Sequence, residues 1–221
     1  MGLSRNTYSL WYNAAMPKVS DEHREKRRAQ ILDAAWRCFY RNGVQSTTME
    51  EIIAESGLSA SAMYRYFKGK DDIILNAIAA SLQGFAVRME PLFADDRLDP
   101  PQFVQRLLEG VEAFAARRGF NLLPIAVHGW SEAQRDERVR TLMATAYAGF
   151  RRMLTGRVQR WQAAGLLDRG FAPEDAAQAL QSLVLGYIVQ VTITRDVSAA
   201  AHARAAEAAL RPPPTRPPQN A

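Results

Sequence analysis

Cysteine is almost missing from this chain of 221 residues. The one present, Cys38, leaves no intrachain disulfide possible, and a reducing compartment suits such a chain. Histidine is nearly as scarce: His23, His128 and His202 stand far apart, and no Cys/His spacing fits a metal, so no metal ligands are expected. A Gly-x-Ser-x-Gly elbow and a phosphate-cradling glycine loop are also missing. Cys38 falls on an apolar stripe, and the acidic pair Asp95-Asp96 reads as loop. Together these absences speak against an enzyme and against a bound cofactor.

Long hydrophobic runs are lacking too. The longest, Leu183 to Ile193, is broken by Gln190 and Thr192; a membrane-spanning helix needs about 20 apolar residues. Leu3 to Ala15 mixes Arg5, Asn6, Thr7 and Asn13 among its apolar residues, so no signal-peptide core is visible. Met1-Gly2 is followed by Asn6 where a myristoylation signal needs Ser or Thr. A soluble, cytoplasmic protein with no membrane partner is therefore expected. Residues 1–19 read as a disordered or mis-assigned extension, which leaves Met1 and Met16 both open as the start.

What is present is ordinary for a globular protein: 48% hydrophobic and 23% charged residues, in a chain long enough to bury a proper core. Nearly every segment repeats at helical period and none alternates like a strand, which predicts an all-α fold. Ser20 to Asn42 reads as a first helix, with Ile31, Ala34, Ala35, Cys38 and Phe39 as its apolar stripe and Gly43 as its stop. Thr47-Thr48-Met49-Glu50 reads as a capping box between Thr47 and Glu50, opening a short helix to Ser56. Gly57 permits a tight turn, and Ser59 caps a helix over Ala60 to Phe67. Lys68-Gly69-Lys70 links to a long fourth helix, where Asp71 and Asp72 suit the positive end of the dipole and which ends near Pro91. Further helices are expected at about 101–117, 121–134, 137–164, 174–195 and 199–210, before a Pro-rich disordered tail over 211–221.

The net charge is +5, and its clustering matters more than its sum. Arg24, Lys26, Arg27 and Arg28 form one basic group, and Arg65, Lys68 and Lys70 another. A phosphate backbone senses such clusters. Two short helices joined by a glycine turn, after a basic helix, describe a helix-turn-helix whose second helix enters the major groove of DNA. Ala60, Ser61 and Ala62 are small enough for close approach, and Ser59 and Ser61 offer short polar groups. Tyr64, Tyr66 and Lys70 are placed to reach phosphates, as are Thr47 and Thr48, while Arg65 is the long side chain for a base edge or flanking phosphate. Met63 and Phe67 are expected in the core.

The stretch Gly43-Val44-Gln45-Ser46-Thr47-Thr48 through Gly57-Leu58-Ser59, followed by Met63-Tyr64-Arg65-Tyr66-Phe67-Lys68-Gly69-Lys70, resembles the TetR family of bacterial repressors. Two positions depart from that pattern: Ala62 where Thr or Ser is common, and Arg65 where His is common. The resemblance implies a three-helix DNA-binding domain (residues 20–69) and a helical ligand-binding and dimerisation domain (70–210). It also implies a repressor released from a double-stranded DNA operator by a small-molecule effector.

Residues 174–195 are apolar nearly all round, with Ala179, Leu180, Leu183, Val184, Tyr187, Ile188 and Val191, as a helix buried on two sides would be. The resemblance implies a homodimer through this helix and the one near 199–210; the alternative is a central helix of a monomer. For the effector, Phe85, Met89, Phe114, Leu122, Trp130, Met143 and Tyr147 form an expected apolar lining, with His128, Trp130 and Tyr147 as polar handles. That lining suggests an apolar or aromatic effector. A helical small-molecule enzyme using His128 and a purely structural adaptor are the competing readings.

Overall fold

The computed structural model describes the backbone of residues 16–210, and among them every regular element is a helix. They are α1 Met16–Asn42, α2 Met49–Ser56, α3 Ala60–Tyr64, α4 Lys70–Ala94, α5 Pro100–Ala116, α6 Leu123–Glu132, α7 Glu137–Ala163, α8 Pro173–Ile193 and α9 Ala199–Leu210. The all-α expectation holds. Of the expected extension, residues 16–19 are the first turn of α1; residues 1–15 and the expected Pro-rich tail lie outside the described residues.

The chain divides into two compact units, Met1–Ala77 and Ile78–Ala221. The division falls inside α4 and not at its start, where the sequence placed it. Its first turns are tied to the preceding helices: Lys70 Nζ donates to carbonyls of the α1–α2 loop, and Asn76 Oδ1 accepts from Arg28 of α1. The core of the first unit contains the expected stripe of α1, with Ile31, Ala34, Ala35, Cys38 and Phe39 all buried, together with Ile52, Met63 and Phe67. Burying each large aliphatic or aromatic side chain of this kind contributes about 1.5–3 kcal/mol. Burial also pushes the Cys38 thiol above its ordinary pKa.

α4 does not end at Pro91 but runs through it to Ala94. A proline inside a helix forfeits one i→i−4 hydrogen bond. Pro91 and Val87, the residue four before it, are both exposed, so the missing bond lies on the solvent side while Met89 and Phe93 bury on the other.

In the second unit, Asp99 and Gln102 form a capping box that opens α5, with Pro100 at its first turn. The inward face of α7 carries Val139, Met143, Leu154, Arg157, Val158 and Trp161. Arg157 is fully buried, yet it reaches Asp96 Oδ1 at 2.9 Å and the Leu98 carbonyl at 2.7 Å. Trp161 Nε1 donates to the same carbonyl at 3.0 Å, so α7 pins down the α4–α5 loop. Burial, and then the neighbouring Arg160, push the Arg157 guanidinium below its usual pKa; Asp96 pulls the other way. α8 packs along α7, and α9 along α5. Tyr187 of α8 is buried, donates to Glu112 of α5 and sets its ring edge-on to His202 of α9 at 4.9 Å.

Only one face of α8 is covered. Ala177, Leu180, Gln181, Val184 and Tyr187 are buried, whereas Leu183, Ile188 and Val191 are partly open and Ile193 is 70% exposed. By length and composition α8 would even pass for a membrane span, with a mean hydropathy of 1.4 over an 18-residue window. The longest-run argument overlooked this because it began at Leu183 and left out Ala176, Ala177, Ala179 and Leu180 before it.

Asp96→Asn should remove the carboxylate shared by the buried Arg157 and the exposed Arg160 while leaving the backbone intact. Chemical denaturation is expected to show a loss of about 1–3 kcal/mol. A loss below a few tenths of a kcal/mol would mean that the Leu98 carbonyl alone satisfies Arg157.

Candidate functional site

Two consecutive threonines in the first unit each have a glutamate three residues on, and the helix uses the second pair. Thr48 Oγ1 accepts from the Glu51 amide at 3.2 Å and Glu51 Oε2 accepts from the Thr48 amide at 2.8 Å. The capping box is therefore Thr48/Glu51 and not Thr47/Glu50; a cap of this kind stabilises by about 1 kcal/mol. Thr47 is 1% exposed and its hydroxyl donates to the Gly43 carbonyl at 2.8 Å. Its side chain is thus enclosed and is not the surface donor the sequence suggested, while Thr48 is exposed.

Gly57 adopts φ +68° and ends α2, the left-handed conformation that the turn requires. Ser59 caps α3 as expected, its Oγ accepting from the Ala62 amide at 3.3 Å and lying 3.1 Å from Ser61 Oγ. α3 is five residues long, shorter than the predicted Ala60 to Phe67. After Tyr64 the backbone tightens, with the amides of Arg65 and Tyr66 bonding to the carbonyls of Ala62 and Met63. This three-residue closure carries Phe67 under the helix, where it is 1% exposed beside an equally buried Met63. Ser59, Ala60, Ser61, Tyr64 and Arg65 remain exposed, and Ala62 and Tyr66 are half-buried. Tyr64 leaves 52% of its surface uncovered. The helix thus presents two hydroxyls, a phenol and a guanidinium on one outward side.

Lys70 does not stand free. Its Nζ donates to the carbonyls of Gln45 at 2.7 Å and Thr47 at 2.8 Å, which commits two of its three hydrogens to closing the loop before α2. Arg28, grouped by sequence with the basic cluster, is likewise an internal tie. It donates to Asn76 Oδ1 at 2.6 Å and the Tyr66 carbonyl at 3.3 Å, and its guanidinium lies 4.7 Å over the Phe67 ring. Asn76 in turn donates to Asp72 Oδ1 and the Asp72 carbonyl. Sequence spacing gave no sign of these links, because the two partners of Arg28 lie 38 and 48 residues further along the chain. Glu55 of α2 receives Arg37 at 2.6 Å and Arg41 at 2.5 Å from α1. Hydrogen bonds from Arg37, then Arg41, hold its carboxyl below the usual range.

In the second unit the expected effector residues fall into two groups. Phe85 meets Phe114 edge-on at 5.4 Å, and Met89 lies against Gly110 of α5. Trp130 Nε1 donates to the Tyr147 hydroxyl at 2.6 Å, and Met143 lies beside Gly129. Desolvation raises the Tyr147 pKa, a shift that the Trp130 hydrogen bond opposes. Leu122 is buried at the start of α6. His128 is exposed: the buried face of α6 is set by Leu123, Ile125 and Gly129, which turns His128 outward. It therefore leaves the expected lining. Phe150, which meets Phe85 at 6.2 Å, was overlooked and joins it.

A helix-turn-helix with an outward-facing second helix, continued by an all-helical unit, is the build of a DNA-binding regulator. Comparison with known proteins agrees. The family described as "Bacterial regulatory proteins, tetR family" matches residues 31–77, and "BetI-type transcriptional repressor, C-terminal" matches 104–211. The chain belongs to the TetR family. It is 41% identical over 66 residues to the HTH-type transcriptional regulator YfiR of Bacillus subtilis, covering 30% of this chain and 32% of YfiR. It is 29% identical to the HTH-type transcriptional regulator BetI of Agrobacterium fabrum, over 74% of this chain and 73% of that one. The matched segments span between 32% and 50% of the length of the first curated relatives. A putative transcriptional regulator from Saccharomonospora viridis, solved in complex with choline, shares the fold with a TM-score of 0.66. Its sequence identity is 22%, and the match covers 83% of this chain and 95% of that one.

Glu55→Gln tests the link between α1 and α2. Because the folded carboxyl is held low, its contribution is fully present above the ordinary carboxylate range and is lost as pH falls through its lowered pKa. The variant should be less stable than wild type in urea at pH 7, with the gap closing towards pH 3. A gap that does not change with pH would assign the effect to packing.

Proposed function

We propose that the protein is a homodimeric transcriptional repressor that binds a double-stranded DNA operator through α3 and is released by a small-molecule effector. The observation that carries this reading is the division of α3 between its two sides. Met63 and Phe67 are buried, while Ser59, Ser61, Tyr64 and Arg65 are presented outward from a helix too short to serve a packing role alone. In this reading Arg65 addresses a base edge or a flanking phosphate, Tyr64, Tyr66 and Thr48 address phosphates, and Ala60 and Ser61 allow close approach. Lys70 acts by shaping the loop before α2, with one hydrogen left for a phosphate. Family membership supports the regulatory role, and a DNA-binding role supports a cytoplasmic location.

The open apolar side of α8, with Leu183, Ile188, Val191 and Ile193, supports pairing with a second copy. α9 spends one side on α5 and leaves Ala200, Ala201, Arg204 and Ala205 exposed beside it for the same contact. A dimer gives two α3 helices for two half-sites. The hydrogen-bonded Trp130–Tyr147 pair and the Phe85–Phe114–Phe150 cluster support effector binding in the second unit. The choline complex of the Saccharomonospora viridis protein supports that role by likeness of fold. The effector would act by favouring a DNA-incompetent conformation.

Selection from random duplexes, followed by fluorescence anisotropy, tests the reading. Wild type should bind an enriched duplex with Kd on the order of 10⁻⁸ M. Tyr64→Ala and Arg65→Ala should each cost about 1–3 kcal/mol. Leu183→Glu with Ile188→Glu should give a monomer by sedimentation and lose operator affinity. Failure to enrich any duplex, or a wild-type monomer at binding concentrations, would sink the proposal.

A further inference from the structure

Of the four cations grouped in α1, two are spent within the protein. Lys26 Nζ lies 2.8 Å from Glu22 Oε1, and Arg28 is taken up by Asn76 and the Tyr66 carbonyl. Arg27 is held differently. Its Nη1 donates to Gln30 Oε1 at 2.8 Å, and Gln30 Nε2 donates in turn to the Ser56 carbonyl at 2.7 Å. Gln30 is neutral, so the guanidinium keeps its full charge, and four of its five N–H groups remain after that one bond. Ser56 closes α2, and Gly57 and Leu58 lead straight to the Ser59 cap of α3. Two hydrogen bonds in series therefore set the charge of Arg27 beside the turn that joins the two short helices.

The course of α1 adds a second observation. Among its described side chains Ile31 is the first to be buried, and residues 21–26 are all exposed. Arg24 and Arg27 continue the line of Ile31 toward the start of the helix, at spacings of three and four. The side of α1 that is buried in the first unit thus runs on beyond the core as a cationic edge, with Arg27 half-buried and Arg24 exposed. Among the described residues Arg24 and Arg65 of this unit also hold no carboxylate; what sets Arg27 apart is the place where Gln30 holds it.

We infer that Arg27, joined by Arg24, grips a backbone phosphate of duplex DNA beside the groove that α3 enters. A major groove is walled by phosphates on both sides, and a helix-turn-helix brings a neighbouring element against that wall when its second helix enters. The flat fork of Arg27 matches two phosphate oxygens. Its bond to Gln30 orders the side chain before DNA arrives, which reduces the entropy lost on binding. Such a contact fixes register and affinity and leaves the choice of bases to α3. The inference rests on α3 being the DNA-reading helix and extends the interface to α1.

The duplex enriched by wild type and a scrambled duplex of equal length serve as probes, with Kd measured between about 50 and 200 mM salt. Arg27→Gln should weaken both duplexes by the same factor, about tenfold, and make the plot of log K against log salt shallower by about one per protomer. Arg27→Lys should recover the wild-type slope, because the charge is what a phosphate requires. Urea denaturation establishes that each variant is folded. A folded Arg27→Gln protein with the wild-type slope overturns the inference, and any affinity it loses then belongs to bracing the end of α2. Should Arg27→Gln not fold, Arg24→Gln, which lies outside the Gln30 link, decides in its place: its slope should be shallower too, and an unchanged slope overturns the inference. If wild type binds no duplex, the helix-turn-helix reading fails and this contact with it. If wild type prefers the enriched duplex while the slopes stay equal, the contact alone fails.

Discussion

A helix of five residues cannot hold itself together in water, because nucleating a helical turn fixes several residues for a single hydrogen bond. α3 therefore exists only because Met63 and Phe67 are anchored in the core of the first unit. Everything the outward side of α3 offers depends on that burial. The same anchor receives polar support from Arg28, which stacks on Phe67 and holds the carbonyl of Tyr66 while gripping Asn76 of α4. Moving α4 within this unit thus means disturbing the turn that tucks Phe67 away.

The second unit solves a similar problem with a buried charge. Arg157 and Trp161 converge on the Leu98 carbonyl, and Asp96 answers the charge from the loop. The connection between α4 and α5 is therefore held by α7, a helix distant from it in sequence. Such an arrangement costs desolvation, so its value lies in fixing one geometry for the loop more than in raw stability. The rings of Phe103 and Trp161, 5.4 Å and 5.1 Å from the guanidinium, form part of its enclosure.

What the sequence disclosed follows the range of each interaction. The apolar stripe of α1, the turn at Gly57 and the cap at Ser59 are local patterns of three or four residues, and they stand in the structure as read. Thr47 and Thr48 were ambiguous for a local reason: both have glutamate at the required spacing, and only burial of Thr47 decides between them. The length of α3 was overestimated because the pattern could not show the tightened turn that buries Phe67. Arg28 and Lys70 looked like surface cations because their partners come from distant elements. His128 was misplaced by rotation around α6, where Leu123, Ile125 and Gly129 set the inward side. The boundaries of α5, α7 and α8, each near a proline or an aspartate, were readable within a residue or two, whereas the Asp99/Gln102 cap of α5 was not read.

The division of labour on α3 has a bearing on how such a protein diverges. The side chains that hold the helix in place, Met63 and Phe67, share none of their atoms with those facing outward, and Ser61, Tyr64 and Arg65 are exposed. Exposed positions of this kind usually tolerate exchange within about 0.5 kcal/mol. Their identity can drift, or be redesigned, while the scaffold beneath them keeps its fold. A new preference then requires no new architecture, only different letters at a few solvent-facing places.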